Sequence, residues 1–484
     1  MAFWRPSFIQ QATLYKFRFV IGYALILAFL VIVLTIDIRI LPEGVSLRGM
    51  DTVVTSMHTQ PNASLDWVVN APYHLLQQLS VVLFGLERLW IVLPSIVFGA
   101  LTMVLFLLTM RQWFSESIAL VTTLVALTSA PFITMVRSDT PDIMLPFWTV
   151  LLLYAAVKVL VKQEKAFVWK IFAVIATIGL LYTPFGIYPL LAFIIAGSLH
   201  PHVRSRIRRI KLHRKLTLLG LLVVGVVPLL LYSIWHPQAL AALVGLNAFQ
   251  TSLADFQATL HVLYVSFISF MHSGFVGMNI APAFNLASIC LMLLGLLRCL
   301  KDWHTTRSYV LLIWGAVSLP VIILAPHEQQ TILLLAMLFL AIGSETLIAE
   351  WYKLFPRNPY ARIAGLIPLT VLFVTIAVTG VTHYFNNHRY LENPTYRPSL
   401  AAIRQTLDAD PNKPLLLVTD EPTVAFYSLL KREYDQLTVT STSPNKLSTR
   451  TAVTPEAAAT FGQPSLILTS ALRGDAVTLR VYTP

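Results

Sequence analysis

Charge is what this sequence has least of. Only 12% of its 484 residues are Asp, Glu, Lys or Arg, about half the ~25% of an ordinary soluble domain. With 56% of the chain hydrophobic and a mean hydropathy of +0.70, that shortage excludes a water-soluble globular protein. Cysteine is nearly missing too. Cys290 and Cys299 stand nine positions apart in one apolar segment, so no disulfide framework staples the fold and the redox compartment cannot be read from them. Heptads, 20–50-residue repeats and low-complexity tracts are absent, as are the ten-residue alternating segments of a membrane barrel. No inverted halves are evident, which counts against a secondary transporter.

What the chain does have is apolar runs near the ~20 residues that cross a ~30 Å hydrocarbon core as a helix. They fall near 20–36, 91–110, 117–136, 143–161, 167–182, 186–199, 216–235, 282–299, 308–325, 331–350 and 364–382. The expectation is an all-α polytopic membrane protein of about eleven transmembrane helices. The first run is too long for a signal-peptide core and no small-residue cleavage site follows it, so it reads as a retained helix.

The net charge of +12 is mostly a matter of sidedness. With the N-terminus inside, the cytoplasmic stretches hold 21 Lys/Arg and the opposite ones 4, as the positive-inside rule requires. The densest run, His200 to Lys215, then meets anionic headgroups, and no nucleic-acid partner is expected. From about residue 384 the composition turns soluble, with short β-like runs at 415–419, 437–440, 466–469 and 477–482 and a helical candidate at 422–431. The expected organisation is a transmembrane domain over residues 1–383 and a small α/β extracytoplasmic domain over 384–484. The C-terminus lies outside the plasma (inner) membrane.

Ionisable residues are scarce inside the runs, which argues against an ion or proton path through the bilayer. Polar groups gather in the outward loops instead: Asp51, His58 and Asp66 in a polar stretch of about fifty residues from Arg39 to Glu87, Arg137, Asp139 and Asp142 in the second loop, and His327 and Glu328 in the fifth. That first loop also holds an Asn70-Ala71-Pro72-Tyr73 turn ahead of an amphipathic run from His74, which would lie in the interface plane. A site built from several such loops is expected at the membrane surface. His58, Asp66, His272 and Glu328 could hold zinc or manganese, although their spacing matches no metal motif.

Asn70-Ala71-Pro72-Tyr73-His74-Leu75-Leu76, Leu83-Phe84-Gly85, Leu93 through Gly99, Ala126 through Phe132, and Arg137-Ser138-Asp139-Thr140-Pro141-Asp142 resemble, in that order, the N-terminal half of the GT-C glycosyltransferases. The resemblance covers roughly residues 20–190 and points to the branch of the protein O-mannosyltransferases and the lipid A aminoarabinose transferases. It implies transfer of a sugar from a polyprenyl-phosphate carrier to a lipid, glycan or protein acceptor at the outer face. It places the first-loop acid at Asp51, the recurrent second-loop aspartate at Asp142 and that loop's basic position at Arg137. Asp51 and Asp142 are therefore the expected catalytic groups, with Arg137, Asp139, Asp66, Tyr73, His74, His327 and Glu328 around the substrate. No cofactor is certain from the resemblance, and a divalent cation is a possible one. Two departures from the family pattern stand out. Asp51 is followed by Thr52 where a second acid is common, and the stretch before the penultimate span reads Pro326-His327-Glu328-Gln329-Gln330 instead of carrying Arg-Tyr. Phosphate binding could shift to Arg48, Arg88 or Arg137. Rival readings are a transporter or flippase for a lipid-linked glycan, and a non-catalytic family member in envelope assembly.

Overall fold

The computed structural model describes residues 13–36, 44–57, 67–161, 166–199, 211–249, 284–325, 328–354, 359–390, 396–397, 400–411, 413–442, 449–457, 463–469 and 477–483, together with residue 257. His58, Asp66, His272 and His327 lie outside them.

The apolar runs are helices: α1 (Thr13–Thr35), α4 (Arg88–Trp113), α5 (Glu116–Thr128), α6 (Ala130–Val136), α7 (Met144–Val161), α8 (Ala166–Leu181), α9 (Ile187–Leu199), α10 (Leu212–Trp235), which the short α11 (Pro237–Val244) follows, α12 (Leu286–Lys301), α13 (Thr306–Leu324), α14 (Leu333–Leu354) and α15 (Pro359–Tyr390). Among the described residues six helices are long and apolar enough to cross a membrane, seven if the bent pair α5–α6 is one span, and three shorter apolar helices accompany them. The sequence had suggested eleven crossings. Helices α12 and α14 touch backbone to backbone, since a Cβ on Gly295 would come within 1.9 Å of Phe339 O and one on Gly343 within 1.9 Å of Leu291 O. Such small-residue contacts are how helices associate where lipid removes the hydrophobic drive.

The 63° bend between α5 and α6 falls at Ser129-Ala130-Pro131, where proline removes a helical donor and clashes with the turn before it. Helix α15 crosses this break closely enough that a Cβ on Gly380 would lie 2.3 Å from Thr128 O. The bend aims α6 and the residues after it, 137–142, across α4.

Two helices in the first loop flank this site: α2 (Leu47–Ser56) and α3 (Ala71–Phe84). Helix α3 is the expected amphipathic run. Its Tyr73, His74, Gln77, Ser80 and Val81 are buried, while Leu75, Leu79, Val82, Leu83 and Phe84 are exposed. A proline in α4 explains how α3 docks. Pro94 has no N–H, so the carbonyl of Trp90 loses its helical donor, and Ser80 Oγ donates to it at 2.6 Å while Gln77 Nε2 donates to Ile91 O at 3.1 Å. Helix α2 went unread in the sequence because its ten residues make fewer than three turns and Gly49 interrupts them.

Beyond α15 lie α16 (Leu400–Ala409), a short α17 (Val424–Ser428) between 3-10 turns, and a five-stranded sheet. Its strands are β3 (Leu415–Val418), β4 (Leu437–Thr440), β5 (Arg450–Val453), β6 (Leu466–Thr469) and β7 (Val477–Tyr482), in the order β4-β3-β5-β7-β6. Strands β4-β3-β5 are parallel and β5-β7-β6 antiparallel. All four anticipated strands are present, and β5 is the additional one. A further two-residue ladder pairs β1 (Val45–Ser46) with β2 (Tyr396–Arg397). One apolar core joins this unit to the first loop: Met50, Val53 and Val54 of α2 pack with Leu400, Ile403, Leu417, Phe426 and Leu430. Glu433 reinforces the seam by accepting from Leu86 N–H at 2.7 Å, just past Gly85, whose φ of 88° only glycine adopts without strain.

Candidate functional site

The second loop is built around two carboxylates three residues apart. Asp139 is 1% exposed. Its Oδ2 accepts from Ser46 N–H at 2.6 Å and its Oδ1 from Ser46 Oγ–H at 2.7 Å, while that same hydroxyl accepts from Gly49 N–H at 2.9 Å and so caps α2. The fit demands glycine at 49, because a Cβ there would stand 2.2 Å from Asp139 Cγ. Asp139 is therefore the peg that seats α2 on the helical body.

Asp142 is placed differently. It sits in the 3-10 turn Pro141–Ile143, only partly buried, and its Oδ2 accepts from Thr140 Oγ1 at 2.7 Å. Thr140 thereby uses its proton, so it accepts from Ser138 Oγ at 2.6 Å. Glu328, after α13, and Asp139 lie near enough to repel the Asp142 carboxylate, and Arg48 on α2 near enough to attract it. Arg48 also faces Glu328 at 3.8 Å with 78% of its side chain exposed, and Gln330 donates to the other Glu328 oxygen. A carboxylate from the second loop, a carboxylate from the α13–α14 turn and a cation from the first loop thus meet at one mouth of the bundle. Asp51 is exposed on α2, one turn beyond Arg48, where i, i+3 residues share a face.

The remaining candidates are held within the protein. Arg137 is 1% exposed, donates to Val33 O of α1 at 3.4 Å and lies over the Tyr384 ring of α15 at 5.2 Å. Arg88, 5% exposed, donates to Gly44 O and, at 3.5 Å, to Arg137 O. These two guanidiniums tie the loop entrance to α1 and α15. His74 Nδ1 lies 2.8 Å from Ser56 Oγ, which donates to Gln77 Oε1 at 2.6 Å or Thr52 O at 2.8 Å. With its one proton spent there, the serine accepts from His74, and the trio locks α2 to α3. Tyr73 reaches Ser95 Oγ at 3.0 Å. Ser95 gives its own proton to Ser138 O at 2.8 Å, so the phenol is the donor, and burial pushes its ionisation far above the usual range for a phenol.

Two residues of this arrangement escaped the sequence reading. Thr140 orients Asp142, and Ser46 receives Asp139; nothing in their spacing marks either. Arg48 was one of three basic residues named, and only its place on α2 distinguishes it from Arg88 and Arg137. Among the described residues no three His, Cys, Asp or Glu side chains gather as a metal would need.

Known proteins resemble this chain in part of its sequence and in its fold. Residues 72–232 match the family model of dolichyl-phosphate-mannose-protein mannosyltransferase. No curated protein matches the chain in sequence. The ArnT structure from Cupriavidus metallidurans bound to undecaprenyl phosphate superposes over 97% of this chain and 98% of its own, at 15% identity and a TM-score of 0.56. The apo form of the same protein gives 0.54 at 15% identity, over 91% and 93% of the two chains. The apo oligosaccharyltransferase of Archaeoglobus fulgidus gives 0.52 at 10% identity, over 88% of this chain and 65% of that one. These likenesses establish a shared fold across the helical body and the C-terminal unit together.

Proposed function

We propose that this chain, whose residues 72–232 match the dolichyl-phosphate-mannose-protein mannosyltransferase family model and whose fold is shared with ArnT, transfers a sugar from a polyprenyl-phosphate carrier to an acceptor hydroxyl at the membrane surface. The observation that carries the reading is Asp142: a partly exposed carboxylate, oriented by Thr140 and facing Arg48 and Glu328. Transfer needs a group to take the proton of the attacking hydroxyl and a positive group to meet the charge left on the departing phosphate. Asp142 performs the first task. Arg48 performs the second by turning from Glu328, which an exposed ion pair permits at little cost. Asp51, on the same face of α2, meets the acceptor. The bond between the anomeric carbon and the phosphate oxygen breaks as the new glycosidic bond forms, and the carrier leaves as polyprenyl phosphate.

The asymmetry of Lys and Arg across the bilayer supports an extracytoplasmic side for this mouth. The test is transfer from undecaprenyl-phosphate mannose by purified protein in lipid, beside Asp142→Asn and Asp51→Asn. Collapse with Asp142→Asn and a smaller loss with Asp51→Asn is expected. Undiminished transfer by Asp142→Asn would move the base to Asp51. A wild-type protein that binds no polyprenyl phosphate would overturn the donor assignment.

A further inference from the structure

Asn70 ends the loop that leads into α3, and three features set it apart. It is 4% exposed, its Oδ1 has no hydrogen-bond partner among the described residues, and its backbone is left-handed with φ 57° and ψ 31°. An asparagine at a helix N-cap ordinarily holds extended backbone and spends its side chain on the first free N–H groups. Here the left-handed backbone prevents that. The carbonyl oxygen of Asn70 accepts from Tyr73 N–H at 2.8 Å and His74 N–H at 3.3 Å, and the carboxamide makes no cap. A buried acceptor left unmet costs roughly 1–3 kcal/mol.

The surroundings hold it firmly. Asn70 N–H donates to Tyr182 O at 2.9 Å, and Phe185, three residues on, is the other non-glycine position with positive φ among the described residues, at 61°. Phe185 N–H donates in turn to Leu243 O at 2.9 Å, and Gly245 lies so close that a Cβ there would be 2.2 Å from the Phe185 ring. Two strained residues over-determined by their neighbours are typical of sites prepared for a ligand. One turn along α3, Tyr73 connects through Ser95 to the carbonyls of Ser138 and Thr140, beside Asp142.

We infer that the Asn70 carboxamide is the acceptor for a hydroxyl of the transferred sugar, and so a specificity-determining residue of the donor site. This rests on the donor assignment above. A carbonyl oxygen needs a proton from its partner. The phosphodiester of the carrier has none to give at neutral pH, and the hydrocarbon tail has none at all. The sugar ring does, and Tyr73, one turn along α3, belongs to a buried apolar cluster with Met144, Leu145, Phe185, Val321 and Ala325.

The experiment compares binding of undecaprenyl phosphate alone with the same carrier bearing mannose, glucose or galactose, in lipid nanodiscs. Asn70→Gly keeps positive φ without strain and deletes only the carboxamide. The bare carrier should bind wild type and Asn70→Gly alike, while the best glycosylated carrier loses about tenfold in the variant, the effect of one hydrogen bond. On wild type, carriers lacking one sugar hydroxyl at a time should show a similar loss at a single position, a measurement independent of how the variant folds. An unchanged preference for the glycosylated carrier in Asn70→Gly overturns the inference, as does an equal loss of both ligands. A wild type that binds neither carrier overturns the donor assignment itself.

Discussion

At the mouth formed by the first loop, Asp139, Arg88 and Arg137 are each 5% exposed or less, and all have hydrogen-bonding partners that belong to other elements. At the opposite end of the bundle, Arg111 and Glu116, Arg298 and Asp302, and Arg307 and Glu345 pair with 30–43% of each side chain in solvent. Both ends are charged, but their charges work differently. A buried charge stripped of its partner is left without water, so each such pair admits one arrangement. An exposed pair can trade its partner for solvent. The first end is therefore a rigid frame, and at its edge Arg48, Asp51 and Asp142 keep contact with the outside.

The comparison breaks if Asp142 and Asp139 respond alike. Asp142→Asn should lower transfer by at least a hundredfold, the usual reach of a general base, with little change in the melting temperature of the detergent-solubilised protein. Asp139→Asn should instead destabilise by about 1–3 kcal/mol, because an amide cannot accept twice from Ser46 without turning a donor inward. Gly49→Ala should cost a similar amount, about 1–3 kcal/mol, by forcing α2 off the carboxylate, and both should reduce transfer as α2 shifts. Equal melting temperatures for Asp139→Asn and Asp142→Asn would sink the distinction.

Smaller effects sharpen it. Thr140→Ala should slow transfer about fivefold to tenfold by releasing the hydroxyl that aims Asp142, while Thr140→Ser keeps most of the rate. Glu433→Ala strands the Leu86 N–H and loosens the seam between the first loop and the C-terminal unit by about 1 kcal/mol. Faster hydrogen exchange in α16 would report it. At the far end, Arg298→Ala should change stability by no more than about 0.5 kcal/mol, a shift within the noise of a melting curve. A large loss there would mean that the exposed pairs also set the frame.

How far each part could be read in advance follows from how local its cause is. The run at 117–136 was read as one unbroken helix, and the bend at Pro131 went unread. The positions of the apolar runs and the amphipathic α3 were legible because each depends on the hydropathy of a continuous segment. The break in composition near residue 384 was legible for the same reason, although α15 itself runs on to Tyr390. Strand β5 was not, since Arg450–Val453 is too short for a pattern to emerge. Among the candidate residues, the sequence put Asp142 with the catalytic groups and Asp139 beside it around the substrate, both in one motif at the site. Three residues in a turn were enough to point one at Ser46 and the other at the open mouth.

The sequence by itself determined that this protein is built of apolar helices, that its polar groups gather in the loops at one end, and that Asp51, Asp142 and Arg48 were available there. Hydropathy is additive along a chain, so it can be summed from the letters. Tertiary structure alone decided which loop groups are held as peg and frame, Asp139, Arg88 and Arg137, and which stay at the mouth. That depends on partners 93 residues away, as between Ser46 and Asp139, or 347 away, as between Leu86 and Glu433. Burial and hydrogen bonding are properties of such pairs, and no stretch of sequence contains both members.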